Sequence, residues 1–155
     1  MIERDTCMRG LATIAMAAAL AATLAGDLRA QPATPVGVWR TFDDKTGLEN
    51  GLVRIREQQG ELVGTIVGTT DPADATQTCD LCEGDRKGKP ILGLVIINGL
   101  RQDGDDWNGG RILEPETGSV YRCSVRLAEQ GRKLILRGYL GISLFGRTQT
   151  WLRAP

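Results

Sequence analysis

The sequence contains no histidine. Without an imidazole there is no Ser–His or Cys–His pair to activate a nucleophile, and the commonest metal ligand is missing. Aromatic residues number seven in 155 (three Trp, two Tyr, two Phe), too few for the two aromatic girdles of an outer-membrane barrel. Charge of either sign is not in excess: 19 basic residues stand against 19 acidic ones. A neutral chain has no electrostatic reason to seek nucleic acid or an anionic membrane. After the first thirty residues no long apolar pattern of period 3.6 occurs, which argues against a helical bundle.

Residues 1–30 have the layout of a secretory signal peptide. Arg4 and Arg9 lie in a polar start, residues 11–24 are uncharged and rich in Ala and Leu, and small residues follow. Cleavage after Ala25 or Ala30 fits, with Ala30 favoured because Gln31-Pro32 opens a mature end. The apolar run falls short of the roughly 20 residues a membrane span needs, so the mature chain, residues 31–155, is expected to be a single exported domain without a span. Its removal takes three basic and three acidic residues and leaves the balance neutral. Protein recovered from the periplasm should begin between Gly26 and Gln31 by intact mass, and a retained Met1 would contradict this reading.

The mature chain is dominated by short alternating runs. Neighbouring side chains in a strand face opposite sides, so period-two alternation marks a half-buried strand. Strands are expected at 36–42, 52–57, 62–69, 91–98, 107–113, 119–127, 134–140 and 147–153, separated by turn clusters such as Asp43-Asp44-Lys45-Thr46-Gly47 and Asp103-Gly104-Asp105-Asp106. The nearly continuous apolar run 91–98 reads as a central strand buried on both sides. Residues 70–90 form one long polar connection, and connections of this length are often functional. The last two runs form a closing hairpin. Eight consecutive antiparallel strands suggest a small all-β fold, an up-and-down barrel, with a two-sheet sandwich as the alternative.

Several motifs together resemble a known family. They are Gly37-Val38-Trp39, the CxxC loop running into Lys89-Pro90-Ile91-Leu92-Gly93, Trp107-x-Gly109-Gly110 and Pro115-x-x-Gly118-x-x-Tyr121. The ending Arg137-Gly138-Tyr139-x-Gly141 … Phe145-Gly146-Arg147-Thr148 … Trp151 completes the set. Over residues 36–153 the chain resembles the exported bacterial proteins grouped as domain of unknown function 2147. The resemblance implies an eight-stranded lipocalin-like barrel with no assigned catalytic residues. The Gly37-Val38-Trp39 triplet also resembles the lipocalin GxW, whose Trp packs under an arginine from the end of the barrel. Arg153 is the candidate here, giving Gly37, Trp39 and Arg153 a structural role.

Cys79 and Cys82 admit three readings. A redox dithiol wants cations or a helix N-terminus beside it, whereas Asp80 and Glu83 are the neighbours. Zinc needs four ligands, and the mature chain has three cysteines and no histidine. Oxidation after export favours a local Cys79–Cys82 disulfide, with a bridge from either to Cys123 as the alternative. Cys123 shares its face with Val125 and Leu127 and reads as an interior residue. Asp103, Asp105, Asp106 and Asn108 could form an oxygen cage, but Trp107 falls where a third ligand belongs, so a turn is the better reading. No metal and no cofactor is expected.

The last strand carries the sharpest ambiguity. If Trp151 points inward, alternation takes Gln149 and Arg147 inward too, and an inward guanidinium needs an acidic or polar partner. Arg137, Arg147 and Arg153 could bind an anionic ligand, or be solvated edge positions that stabilise the sheet surface. The acidic residues cluster in turns, so acid–base catalysis has little support and no catalytic residue is expected. The reading that follows is a non-enzymatic periplasmic or secreted barrel binding a small, largely apolar ligand. Trp39 and Trp151 would be walls, Arg147 a polar anchor, and Tyr121 and Gln149 further contacts. The rival is a structural or interaction module of the bacterial envelope with a packed barrel, whose partner is another envelope protein.

Overall fold

The computed structural model describes residues 33–142, 144 and 146–155. The signal peptide expected over 1–30 lies outside the described residues, as does Phe145 of the ending motif. Eight strands follow in order: β1 (Gly37–Phe42), β2 (Glu49–Gln58), β3 (Glu61–Thr69), β4 (Val95–Asp103), β5 (Asp106–Glu114), β6 (Ser119–Ala128), β7 (Lys133–Tyr139) and β8 (Gly146–Arg153). Each pairs antiparallel with the next, and the sheet closes into a barrel. The closing seam joins β1 to β8 through Trp39 opposite Arg153 and Arg40 opposite Leu152. Closure leaves no free sheet edge and excludes the sandwich.

Seven strands lie within a few residues of where alternation places them. The exception is β4. Its apolar run splits at Leu94: Ile91 and Leu94 belong to the β3–β4 connection, and the strand begins at Val95 and continues to Asp103. The connection is held on β3 by two backbone bonds, Gly93 N–H to the Ile66 carbonyl and Ile66 N–H to the Leu94 carbonyl. Nor is β4 buried on both sides throughout, because Val95 is 39% exposed. Register shifts between β3 and β4 bring Ile96 and Ile97 both into buried positions. An unbroken apolar run therefore records a buried connection as well as a strand.

Alternating strand direction sorts the connections onto two ends. The turns after Gln58, Asp103 and Ala128 lie at one end, and the connections 43–48, 70–94 and 115–118 and the described residues between β7 and β8 lie at the other. The two ends are filled differently. At the short-turn end Trp39, Ile55, Ile97, Leu100, Cys123 and Leu134 have no solvent exposure. Burying side chains of this size contributes about 1.5–3 kcal/mol each for the larger aliphatics. Two interior glycines make room: a Cβ on Gly110 would lie 2.4 Å from Leu100 Cγ, and one on Gly64 2.9 Å from Ile97 Cβ. This end is a packed plug.

The plug is finished by Arg153. Its guanidinium carbon lies 4.3 Å from the centroid of the Trp39 ring. Its nitrogens donate to the carbonyls of Gly131 at 2.7 Å, Thr34 at 2.7 Å and Val36 at 3.0 Å. Trp39 Nε1 donates to the Pro35 carbonyl at 2.8 Å. Burial lowers the pKa of Arg153 from its ordinary value, but an arginine stays charged regardless. Gly37 completes the arrangement: its φ of +145° favours glycine, and the missing Cβ leaves room for Arg153 Nη1, which would lie 2.6 Å from it.

Candidate binding cavity

At the other end the barrel is open. A cavity of about 900 Å³ enters between the four long connections. Its depth is apolar, formed by Val53, Ile66, Ile96, Ile112, Leu136 and Trp151. For all of these but Ile96, whose neighbour Ile97 takes the inner face opposite Ile112, register sets the inward position. In β7 and β8, for example, Leu134 faces Trp151, Leu136 faces Gln149 and Gly138 faces Arg147. Trp151, Gln149 and Arg147 thus share the inner face and step outward from the plug to the mouth.

Their polar atoms form one connected path. Trp151 Nε1 donates to Gln149 Oε1 at 3.1 Å, and Gln149 Nε2 donates to Asp44 Oδ2 at 2.9 Å. Arg147 Nε meets the same Asp44 oxygen at 2.8 Å, and its Nη2 reaches Glu114 Oε1 at 2.9 Å. The other Glu114 oxygen accepts from Thr117 Oγ1 at 2.8 Å and from Tyr121 Oη at 3.5 Å. Burial pushes the Glu114 carboxyl up, but the bonds from Thr117 and Arg147 outweigh it and hold the group below the usual range. Burial likewise works against the Arg147 charge, and the bond it donates to Glu114 and the field of Asp44 more than offset it. The path thus brings two acidic side chains, Asp44 and Glu114, onto one guanidinium.

Of the five side chains expected at a ligand, Tyr121, Arg147, Gln149 and Trp151 line this cavity. Trp39 does not. It lies in the plug, fully buried under Arg153, and is no wall of the cavity. Arg147 is turned inward as alternation requires, yet its side chain is 61% exposed because it stands at the mouth. Asp44 and Glu114, the acids that hold it, were not singled out by their own surroundings. The signal for them is indirect: an inward arginine needs an acidic or polar partner, and acidic residues of the turns and strand ends at the same end can supply it.

The CxxC segment forms part of the mouth wall. Cys79 and Cys82 are joined in a disulfide, and both are buried. Cys123 is a free, buried thiol, so the alternative bridge is not formed, and burial pushes its pKa up to about 12. Thr78, Asp80 and Leu81 from this segment line the cavity. Because the disulfide closes a very short loop, replacing both cysteines by Ala should cost less than the roughly 3 kcal/mol of a 15-residue loop. Urea denaturation of the variant measures this. Around the β4–β5 turn Asn108 donates to Asp103 at 3.1 Å, and among the described residues no cluster of His, Cys, Asp or Glu has the geometry of a metal site.

A closed eight-stranded up-and-down barrel, plugged at one end and cupped at the other, defines a lipocalin-like protein. The solved structure of a protein of Helicobacter pylori, HP1028, described as belonging to the lipocalin family, superposes with a TM-score of 0.70. It is 18% identical, and the match covers 79% of this chain and 84% of that one. No curated protein matches the sequence. Residues 37–153 match the model of the family described as uncharacterised proteins conserved in bacteria, DUF2147, and the chain belongs to that family.

Proposed function

We propose that this protein is an exported, non-enzymatic binding protein that holds one small, largely apolar molecule in the open half of its barrel. The observation that carries the reading is the contrast between the two ends. The same barrel buries Trp39 and Leu100 completely in one half and leaves about 900 Å³ free above Trp151. That volume is within the usual range of small-molecule sites, as is an apolar depth with a few fixed polar groups. Two of the carboxylates at the mouth, Asp44 and Glu114, are engaged by Arg147 and are poorly placed to act as free acids or bases. A periplasmic or secreted location accords with the leader expected over residues 1–30.

Organic extraction of protein produced in the periplasm, followed by mass spectrometry, tests the reading. An apolar molecule recovered at about one per chain is the expected result. Native mass spectra showing only the bare chain, before and after exposure to an envelope lipid extract, would contradict it.

A second reading, docking of the mouth onto another envelope component, has one specific support. The most exposed large apolar side chains among the described residues are Leu48, Leu81, Leu140, Ile142 and Leu144, each at least 61% exposed. All five lie on connections at the open end. Leu140→Ser with Leu144→Ser should then remove any association while leaving the barrel's stability unchanged.

A further inference from the structure

The head group of the bound molecule can be inferred from the charges at the mouth, on the reading that the cavity is a ligand site. Six carboxylate residues line it (Asp43, Asp44, Asp74, Asp80, Glu114 and Glu116) against two cations, Lys45 and Arg147. Arg147 would be the natural anchor for a fatty acid or other anionic amphiphile. Two of its three nitrogens are already engaged: its Nε and Nη2 lie 2.8 Å and 2.9 Å from Asp44 and Glu114. An incoming carboxylate that used the remaining nitrogen would sit beside both of these carboxylates, among an excess of like charge.

A cation meets the opposite situation. Glu114 uses both oxygens on Arg147, Thr117 and Tyr121, but the bonds held by Asp43 are to its own turn, to Thr46 and the backbone of Lys45. Among the described residues Asp80, which stands on the disulfide-bonded segment and accepts from Thr78, forms no ion pair. Beneath this rim the lining changes to Ile66, Ile96, Ile112, Leu136 and Trp151, and the Trp151 ring belongs to the floor. The cavity is thus apolar below and net negative above. We propose that it selects a cationic amphiphile, with the apolar tail between β3, β4, β5 and β7 and the positively charged head, an amine or quaternary ammonium, among the carboxylates of the mouth.

The test compares three probes of equal chain length by calorimetry at low ionic strength, below their micellar concentrations: dodecyltrimethylammonium, dodecanol and dodecanoate. Dodecyltrimethylammonium should bind at least tenfold tighter than dodecanoate, with dodecanol between them. The ratio should fall when salt is raised, since exposed charges are screened over about 10 Å at 0.1 M. Asp44→Asn combined with Glu114→Gln frees Arg147 and should shift the order towards dodecanoate. Equal affinities, or a preference for dodecanoate in the unmodified protein, would overturn the head-group inference and leave the apolar binding site standing. Binding of none of the three would overturn the binding site and the head group together.

Discussion

Replacing Trp39 by Ala should cost about 3–5 kcal/mol, the usual loss for a buried tryptophan and a large share of a small domain's stability. Three contributions are lost at once. The ring is fully buried, its Nε1 satisfies the Pro35 carbonyl, and its face receives the Arg153 guanidinium at 4.3 Å. Arg153→Ala should cost less, about 2 kcal/mol, because charge-assisted bonds to carbonyls are partly replaced by water at this end. The two effects should not add. Removing Trp39 takes away the ring on which the guanidinium lies, so the Arg153 effect should shrink by about 0.5–2 kcal/mol. A double-mutant cycle in urea measures the coupling. Additive effects would mean that the β1–β8 seam is not fastened by this pair.

Gly118→Ala is expected to be nearly as costly, for a different reason. Gly118 has φ +71°, and a Cβ there would lie 1.9 Å from the Leu81 carbonyl oxygen and 2.5 Å from its carbon. The β5–β6 turn and the disulfide-bonded segment meet at this glycine with no room for a methyl group. Backbone strain costs about 1–3 kcal/mol, and forcing two backbones apart costs about 1–3 kcal/mol more. Gly60→Ala separates the two terms, since Gly60 has φ +79° with nothing within 4 Å of the added carbon. Gly118→Ala should lower the urea midpoint further than Gly60→Ala. It should also weaken ligand binding, because Asp80 and Leu81 line the cavity. Equal losses for the two variants would mean that the segment does not dock on the turn.

Much of this architecture is legible in the sequence because strand alternation is a local signal. Arg147, Gln149 and Trp151 declare a common face by spacing alone, and the structure puts that face inside. The Cys79–Cys82 bridge, favoured over one to Cys123 by the oxidation expected after export and by the acidic neighbours, is present. Position along the barrel axis is less visible. Trp39 and Trp151 are both inward and both buried, yet one belongs to the plug and the other to the cavity floor. Only the register of the closing seam separates them. The same holds for Asp44 and Glu114, ordinary turn and strand-end residues until the fold brings them to Arg147. The β4 boundary was hidden because burial under a connection and burial in a sheet select the same apolar residues.

The open half of the barrel is tested most directly by filling it. Gly138 faces the cavity from β7, and a Cβ there would make only ordinary contacts, 3.8 Å to Ile112 and Tyr121. Gly138→Trp should therefore send its ring into free space, and an aromatic in place of a strand glycine favours the sheet. Titration of a neutral, solvatochromic apolar dye into both proteins, with urea midpoints measured alongside, reads the outcome. The expected result is one dye bound per chain of the unmodified protein, at least tenfold weaker binding by Gly138→Trp, and an undiminished urea midpoint. Unchanged dye binding by a stable Gly138→Trp variant would contradict a ligand site inside the barrel.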